Sequence, residues 1–175
     1  MKKALLFLLI ITSSLGYTQK KILKAVLIND KINIDGNLEE SQWQTAPIAK
    51  DFFMFAPDNG KEVAKDKDTE VKILYDNEAI YVGAILFDPE PTKILKELTL
   101  RDDQGTSDNF GVFINGFNDG QQDFRFFVSA AGTQMDAVAL ENDGEDFSWD
   151  GIWKSAVKIT DFGWVVEMKI PYAAL

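Results

Sequence analysis

The chain has 175 residues, 46% of them hydrophobic, and a formal net charge of −10. This length suits one domain with its own core and is short for two. The acidic balance disfavours nucleic acid and anionic membranes as partners. The absence of cysteine and histidine excludes disulfides, the usual general base and the commonest zinc ligand.

The first 18 residues have the pattern of a secretory signal peptide. Lys2 and Lys3 precede an apolar run from Ala4 to Ile11, and small residues follow. The run is shorter than the about 20 apolar residues that a membrane span needs. The pattern predicts export to the periplasm, the cell surface or the medium, with cleavage after Gly16 or Thr18. The domain would then occupy residues 19–175.

A short helix is predicted near the start of this domain. Two apolar segments, residues 21–28 and 31–35, are typical of strands, and the period then changes. Asn37 is the expected N-cap, with Glu40 three residues later, and Pro47 ends the helix. Trp43 would lie on its buried side, beside Leu38 and Ala46.

The rest of the chain has the pattern of antiparallel strands. Residues 69–87 predict a hairpin, and further strands are expected over 107–117, 123–129, 133–140, 153–160 and 163–170. About nine strands and one short helix indicate an all-β protein, most simply an antiparallel β-sandwich.

Three of the four tryptophans lie close together near the end of the chain. Side chains alternate between the two faces of a strand. Trp153 would therefore lie with Val157 and Ile159, and Trp164 with Val166 and Met168. These are apolar rows, so both tryptophans are predicted to be core residues. Gly151, between Trp149 and Trp153, can break the alternation, so the face of the strand on which Trp149 lies is left undecided.

Several segments resemble one family. The strand series over residues 32–175, with IDGNLEESQW, LYDNEAIYVGAILFDPEP, SDNFGVFING and GWVVEMKIPYAAL, is similar to type 9 carbohydrate-binding modules of the DOMON-like superfamily. More narrowly, it resembles the N-terminal module of large exported proteins of Bacteroidetes-type bacteria. The resemblance implies a DOMON-like, jelly-roll-like β-sandwich, often with bound calcium, that recognises polysaccharide or oligosaccharide ends in polysaccharide-degrading systems.

The resemblance also implies which residues would bind sugar. Arg125 matches the arginine of the family's Q-F-R strand, whereas Gly111 and Asn115 replace its glutamate and aspartate. We therefore expect Arg125 to donate hydrogen bonds to vicinal hydroxyls, with Asn115 and Asn109 as neighbours. The stacking ring would come from the SWDGIW segment, with Trp149 as the candidate, or from strands beyond Leu175.

Acidic loops raise two further possibilities. Asp102, Asp103 and Asp108, or a second loop with Asp143, Glu145, Asp146 and Asp150, could supply oxygen ligands for a structural Ca²⁺, and the alternative is a solvated acidic surface. A glycosidase could use paired carboxylates from Glu97, Asp108 or Glu167. No spacing singles out such a pair, and the alternation places Glu167 on a polar, solvated face. We therefore expect a binding module, not an enzyme.

Two hypotheses remain open. The chain is a carbohydrate-binding module, or it is a structural cap or docking domain for a β-rich C-terminal region of the same full-length product. In the family, the final segment GWVVEMKIPYAAL leads into further strands. The sequence is therefore interpreted as a fragment whose C-terminal strands are missing, which would leave an open sheet edge.

Overall fold

The computed structural model describes residues 21–141 and 143–175. These residues form one α-helix, α1 (Ser41–Thr45), and nine strands: β1 (Val26–Leu27), β2 (Thr69–Tyr75), β3 (Ala79–Phe87), β4 (Asn109–Ile114), β5 (Gln122–Ser129), β6 (Gln134–Leu140), β7 (Gly144–Asp146), β8 (Lys154–Ile159) and β9 (Gly163–Pro171). Short 3₁₀ turns occupy Lys65–Lys67, Pro91–Lys93 and Tyr172–Ala174. The predicted signal peptide, residues 1–18, lies outside the described residues. Within those residues, no helix has the length and apolar character needed to cross a membrane.

The strands form two sheets. One has five strands in the order β1-β2-β3-β9-β8, and the other has four in the order β4-β5-β6-β7. Every neighbouring pair is antiparallel except β1 and β2. The predicted all-β antiparallel sandwich with one short helix is therefore confirmed.

The main core fills the space between the two sheets. Alternate residues of β3 and β9, such as Val82 and Val166, face Phe126 and Val128 of β5. Trp153 and Trp164 belong to this core and are almost completely buried. The prediction that these two rings are core residues is confirmed.

A second apolar cluster covers the other face of the five-stranded sheet. It is formed by residues 28–46, which we call the N-terminal strap, packed on Leu74, Ala79 and Tyr81. Trp43 of α1 is fully buried in this cluster together with Ala46, and Leu38 packs against it. The sheet comes close to the strap at Gly83, where a Cβ would lie 2.7 Å from Leu38 Cδ2.

The burial of Glu167 contradicts the sequence analysis. Its side chain is on the strap side of β9 and is 0% exposed. One carboxylate oxygen accepts the N–H groups of Asp35 at 2.8 Å and Gly36 at 3.0 Å, and the other accepts Trp43 Nε1–H at 3.1 Å. Strand alternation predicted the correct side of β9, but it could not show that the strap covers that side.

Local details near the N-terminus also differ from the expectations. Residues 31–35 are not a strand, and only Val26–Leu27 of the first apolar segment pairs with β2. The N-cap of α1 is Glu40 rather than Asn37. The reason lies in the turn before the helix, because the Asn37 N–H donates to the Asp35 carboxylate at 2.9 Å.

Candidate functional site

The outer face of the four-stranded sheet carries the most distinctive set of side chains. The strand register places Phe113 opposite Arg125 and Gly111 opposite Phe127, while Glu145 of β7 pairs with Ala139 of β6. An open cleft of about 310 Å³ lies on this face, between these strands and an adjoining loop. Its lining residues are Asp102, Gln104, Asn109, Phe113, Phe127, Met135, Glu145 and Phe147.

Phe127 lies across the floor of this face. A Cβ added at Gly111 would be 2.7 Å from Phe127 Cδ1, so the ring occupies the space that a side chain at position 111 would need. An aromatic ring that covers a strand glycine in this way compensates for the missing side chain. The absence of a glutamate at position 111 therefore has a structural reason: that space holds an aromatic ring.

Three phenylalanine rings form an aromatic wall around the cleft. Phe113 meets Phe127 edge-on at 5.4 Å between ring centroids, and Phe147 lies 6.3 Å from Phe127. Phe113 is 56% exposed and Phe147 38%. Exposed rings beside polar groups are suited to contact with the apolar face of a ligand.

Arg125 lies beside this wall and is heavily engaged. Its Nε donates to Asp123 at 2.7 Å and its Nη1 to Glu145 at 2.7 Å, while its guanidinium stacks 4.6 Å from the Phe113 centroid. The hydrogen bonds that Arg125 donates to Asp123 and Glu145 raise its pKa further above its already high value. The group is therefore a fixed cation whose charge is balanced by two carboxylates.

Polar groups complete the cleft from the loop before β4. Asp102 and Gln104 contribute from that loop, and Asn109 contributes from the first position of β4. Asn109 Nδ2 donates to the Ser107 carbonyl at 2.8 Å, and its Oδ1 is buried without a hydrogen-bond partner among the described residues. The cleft thus combines apolar rings with carboxylate and amide oxygens.

The structure brings together only some of the residues selected from the sequence. Arg125 and Asn109 are on the same face. Asn115 follows the end of β4 and does not line the cleft, although its Oδ1 is also buried without a partner among the described residues. Trp149 lies on the opposite face of the sheet, because its ring packs 5.2 Å from Phe124 and 5.9 Å from Phe126 on the core side. It cannot provide a stacking ring next to Arg125.

The three aspartates selected as calcium ligands do not gather into a site. Asp102 accepts the Asp136 N–H at 3.0 Å, and Asp103 accepts the Gly105 N–H at 3.1 Å. Asp108 is held through its backbone, since its carbonyl accepts the Ala130 N–H. In the part of the chain that the structure describes, no three acidic side chains form a group able to hold a metal. These residues do not fit a calcium site.

The second acidic loop is occupied by other contacts. Glu145 pairs with Arg125, Asp146 accepts two hydrogen bonds from Ser148, and Asp150 pairs with Arg101 at 3.2 Å. Two of the carboxylates considered for catalysis also have other roles. Glu97 accepts the Thr106 N–H, and Glu167 is buried under the strap.

The aromatic wall was not predicted from the sequence. Phe127 could have been found, because strict alternation in β5 places it on the same face as Arg125. Phe113 could have been found in the same way from β4. Phe147 carried no usable signal, since its position depends on β7, a three-residue strand that has no clear sequence pattern.

At one edge of the same sheet, β4 has no paired strand among the described residues. The Ala130 N–H donates to the Asp108 carbonyl. In this register, the backbone N–H and C=O groups of Phe110, Val112 and Ile114 point toward β5. The backbone groups of Asn109, Gly111 and Phe113 point the other way, where no described strand pairs with β4. Beside this edge, an apolar groove of about 570 Å³ opens between the sheets and contains Val71, Ile73, Val82, Phe110 and Val112.

Comparisons with known proteins agree on the fold. Residues 34–175 match the family model described as carbohydrate family 9 binding domain-like. A family 9 carbohydrate-binding module from Caldicellulosiruptor kristjanssonii in complex with cellotriose is similar, with a TM-score of 0.57 and 18% identity over 85% of this chain and 67% of that one. The same module in complex with glucose gives a TM-score of 0.57 and 18% identity, covering 86% of this chain and 70% of the other.

A third solved structure is a putative carbohydrate-binding protein from Bacteroides uniformis ATCC 8492. It has a TM-score of 0.64 and 12% identity, and the match covers 86% of this chain and 72% of that chain. No curated protein matches the sequence.

Proposed function

Because the chain belongs to the family 9 carbohydrate-binding domain-like proteins, we propose that it is a non-catalytic module that binds a glycan in the cleft described above. The observation that carries this proposal is the convergence of three phenylalanine rings with carboxylate and amide oxygens on one open sheet face. Rings cover the C–H face of a sugar, and the oxygens accept hydrogen bonds from its hydroxyl groups. The two similar C. kristjanssonii structures contain cellotriose and glucose, so β-glucans are the first ligands to test.

The direct test is calorimetric titration of the folded protein with oligosaccharides of cellulose, xylan and β-glucan. Phe147→Ala should weaken binding about tenfold, equivalent to about 1.4 kcal/mol, because it removes one wall of the cleft. Phe55→Ala is the control, since it removes a ring that is exposed and does not line the cleft. If no glycan binds, or if Phe147→Ala binds as well as the parent protein, the cleft is not a glycan site.

Arg125→Ala provides a second test of the same face. Its loss leaves Asp123 and Glu145 without their cation and Phe113 without its stacking partner. We expect weaker glycan binding from the disturbed cleft. Unchanged affinity in a variant that retains the parent's circular dichroism spectrum would show that Arg125 does not contribute to glycan binding.

A second candidate function is supported by the free edge of β4. An unpaired strand edge beside an apolar groove is suited to the addition of another strand. We propose that a β-rich region C-terminal to Leu175 in a full-length product docks there. Hydrogen exchange tests this: the amides of Gly111 and Phe113 should exchange more slowly in a longer polypeptide than in the 175-residue chain. Equal exchange rates would contradict the docking role.

The wider setting is also part of the proposal. The lysine-flanked apolar leader supports an exported product, and the family supports a place in polysaccharide processing.

A structural Ca²⁺ is proposed from the family resemblance alone, because the described acidic residues do not form its site. A melting temperature higher in millimolar calcium than in EDTA would support the ion, and identical melting curves would remove it.

A further inference from the structure

The charges around the cleft are unevenly distributed. Two residues in its lining, Asp102 and Glu145, carry negative charge, and no lysine or arginine is among the lining residues. The two nearby guanidinium groups already have carboxylate partners. Arg125 is paired with Asp123 and Glu145, and Arg101 is paired with Asp102, Asp136 and Asp150.

Arg125 has little capacity left for an anionic ligand. Its Nε and Nη2 both donate to Asp123, its Nη1 donates to Glu145, and one face of the guanidinium covers Phe113. Three of its five N–H groups are used and its charge is balanced by two carboxylates, so a bound carboxylate would meet Asp123 and Glu145 at the same guanidinium. A hydroxyl group does not compete with these carboxylates, because it can donate to a Glu145 oxygen while the ion pair stays intact.

From this arrangement, we propose that the cleft selects glycans without carboxylate groups and discriminates against the uronic acid forms of the same chains. The inference rests on the proposed glycan-binding function and adds a rule for ligand charge. A uronate carboxylate in the cleft would lie near Glu145 and Asp102. The described lining residues include no lysine or arginine to compensate its charge, so these like charges repel. Arg125 is then a positioning residue, which fixes Glu145 and Phe113 for contact with the ligand.

The experiment compares two forms of one ligand. Cello-oligosaccharides are titrated into the protein, and so are the same oligosaccharides after selective oxidation of the C6 hydroxyl to a carboxylate. We expect the oxidised form to bind about tenfold more weakly or worse at low ionic strength, with a smaller difference at high salt because of screening. Equal or tighter binding of the oxidised form overturns the inference while leaving the glycan-binding function intact.

Glu145→Gln shows whether the discrimination comes from the cleft. It removes one negative charge and keeps a similar shape, so the preference for the neutral ligand should shrink severalfold. Glu39→Gln is the matched control, since it removes the same charge from an exposed position on the N-terminal strap. An equal change in both variants would mean that net charge alone sets the preference, which contradicts the inference. If neither form of the ligand binds, the proposed function fails as well.

Discussion

At the scale of single residues, two buried carboxylates hold two tryptophans. Glu167 accepts the indole N–H of Trp43 on the strap side of the five-stranded sheet. Asp136 accepts the indole N–H of Trp153 at 3.2 Å in the main core, and also bonds to Arg101 and the Gly151 N–H. A buried indole N–H needs a partner. The segments that carry these rings are therefore anchored by charge as well as by apolar contact.

Trp153→Ala should be strongly destabilising. The ring is 6% exposed and packs 5.5 Å from Phe126, so its truncation leaves a cavity and deprives Asp136 of one donor. We expect a loss of about 3–5 kcal/mol in the free energy of unfolding, measured by urea denaturation. Trp153→Phe should cost less because it keeps most of the volume. A loss below about 1 kcal/mol for the alanine variant would contradict the core assignment.

Glu167 should make stability depend on pH. Burial raises the pKa of its carboxyl above the ordinary value, although hydrogen bonds from Asp35, Gly36 and Trp43 oppose the shift. A carboxyl with a raised folded-state pKa contributes stability that is fully present below its unfolded-state pKa and is lost as pH rises through the folded-state pKa. Relative to Glu167→Gln, the parent protein should therefore lose stability as the pH rises from 4.5 toward neutrality.

Urea titrations of both proteins across that pH range measure the effect. A stability difference that does not change with pH would show that Glu167 keeps its ordinary pKa in the folded protein.

At the scale of elements, the hairpins show where the chain has little freedom. The turn between β8 and β9 brings Gly163 against β3, with φ at +141°. A Cβ at this position would collide with the Leu86 carbonyl oxygen and lie 2.8 Å from the Asp88 nitrogen. Both of those atoms belong to the backbone, so neither can rotate away. The register of β9 against β3 depends on this close approach.

Gly163→Ala should therefore cost about 3 kcal/mol or more, since it combines backbone strain with a steric clash. Gly60→Ala is the matched control. Gly60 also has a positive φ, +82°, but nothing lies within 4 Å of the added Cβ, so it should cost only about 1–2 kcal/mol. Thermal or urea unfolding of the two variants provides the comparison. Equal losses would show that the contact with β3 is not the cause.

At the scale of the whole molecule, the two sheets have different surroundings. The five-stranded sheet is covered on both faces, by the core on one side and by the N-terminal strap on the other. Among the described residues, the four-stranded sheet is packed against the other sheet on one face, and its other face holds the cleft. This asymmetry leaves one sheet to support the fold and the other to present the proposed ligand site.

We expect the exported protein to lack its leader. Secretion should release a mature chain that starts after Gly16 or Thr18, and the loss of Lys2 and Lys3 lowers the formal net charge from −10 to −12. N-terminal sequencing of protein recovered outside the cytoplasm measures this. A recovered species that still begins at Met1 would contradict the prediction.

The sequence by itself determined the fold class, the main hairpins and the burial of Trp43, Trp153 and Trp164. These features follow from local periodicity, because strand alternation and helical spacing fix which side chains share a face. The resemblance of the strand series also indicated the family. Arg125, selected from the resemblance as a sugar-binding residue, lies on the outer face of the four-stranded sheet, and its role in binding stays a prediction.

The tertiary structure alone decided what covers each face. Strand alternation gave the side of β9 on which Glu167 lies, but the strap that buries it comes from residues more than 120 positions earlier. The cleft joins residues of β4, β5, β6 and β7 and of a loop, and the ring that replaces a side chain at Gly111 belongs to the neighbouring strand. Periodicity gives the direction of a side chain, whereas its neighbours depend on long-range packing, which a single sequence does not encode in any local pattern.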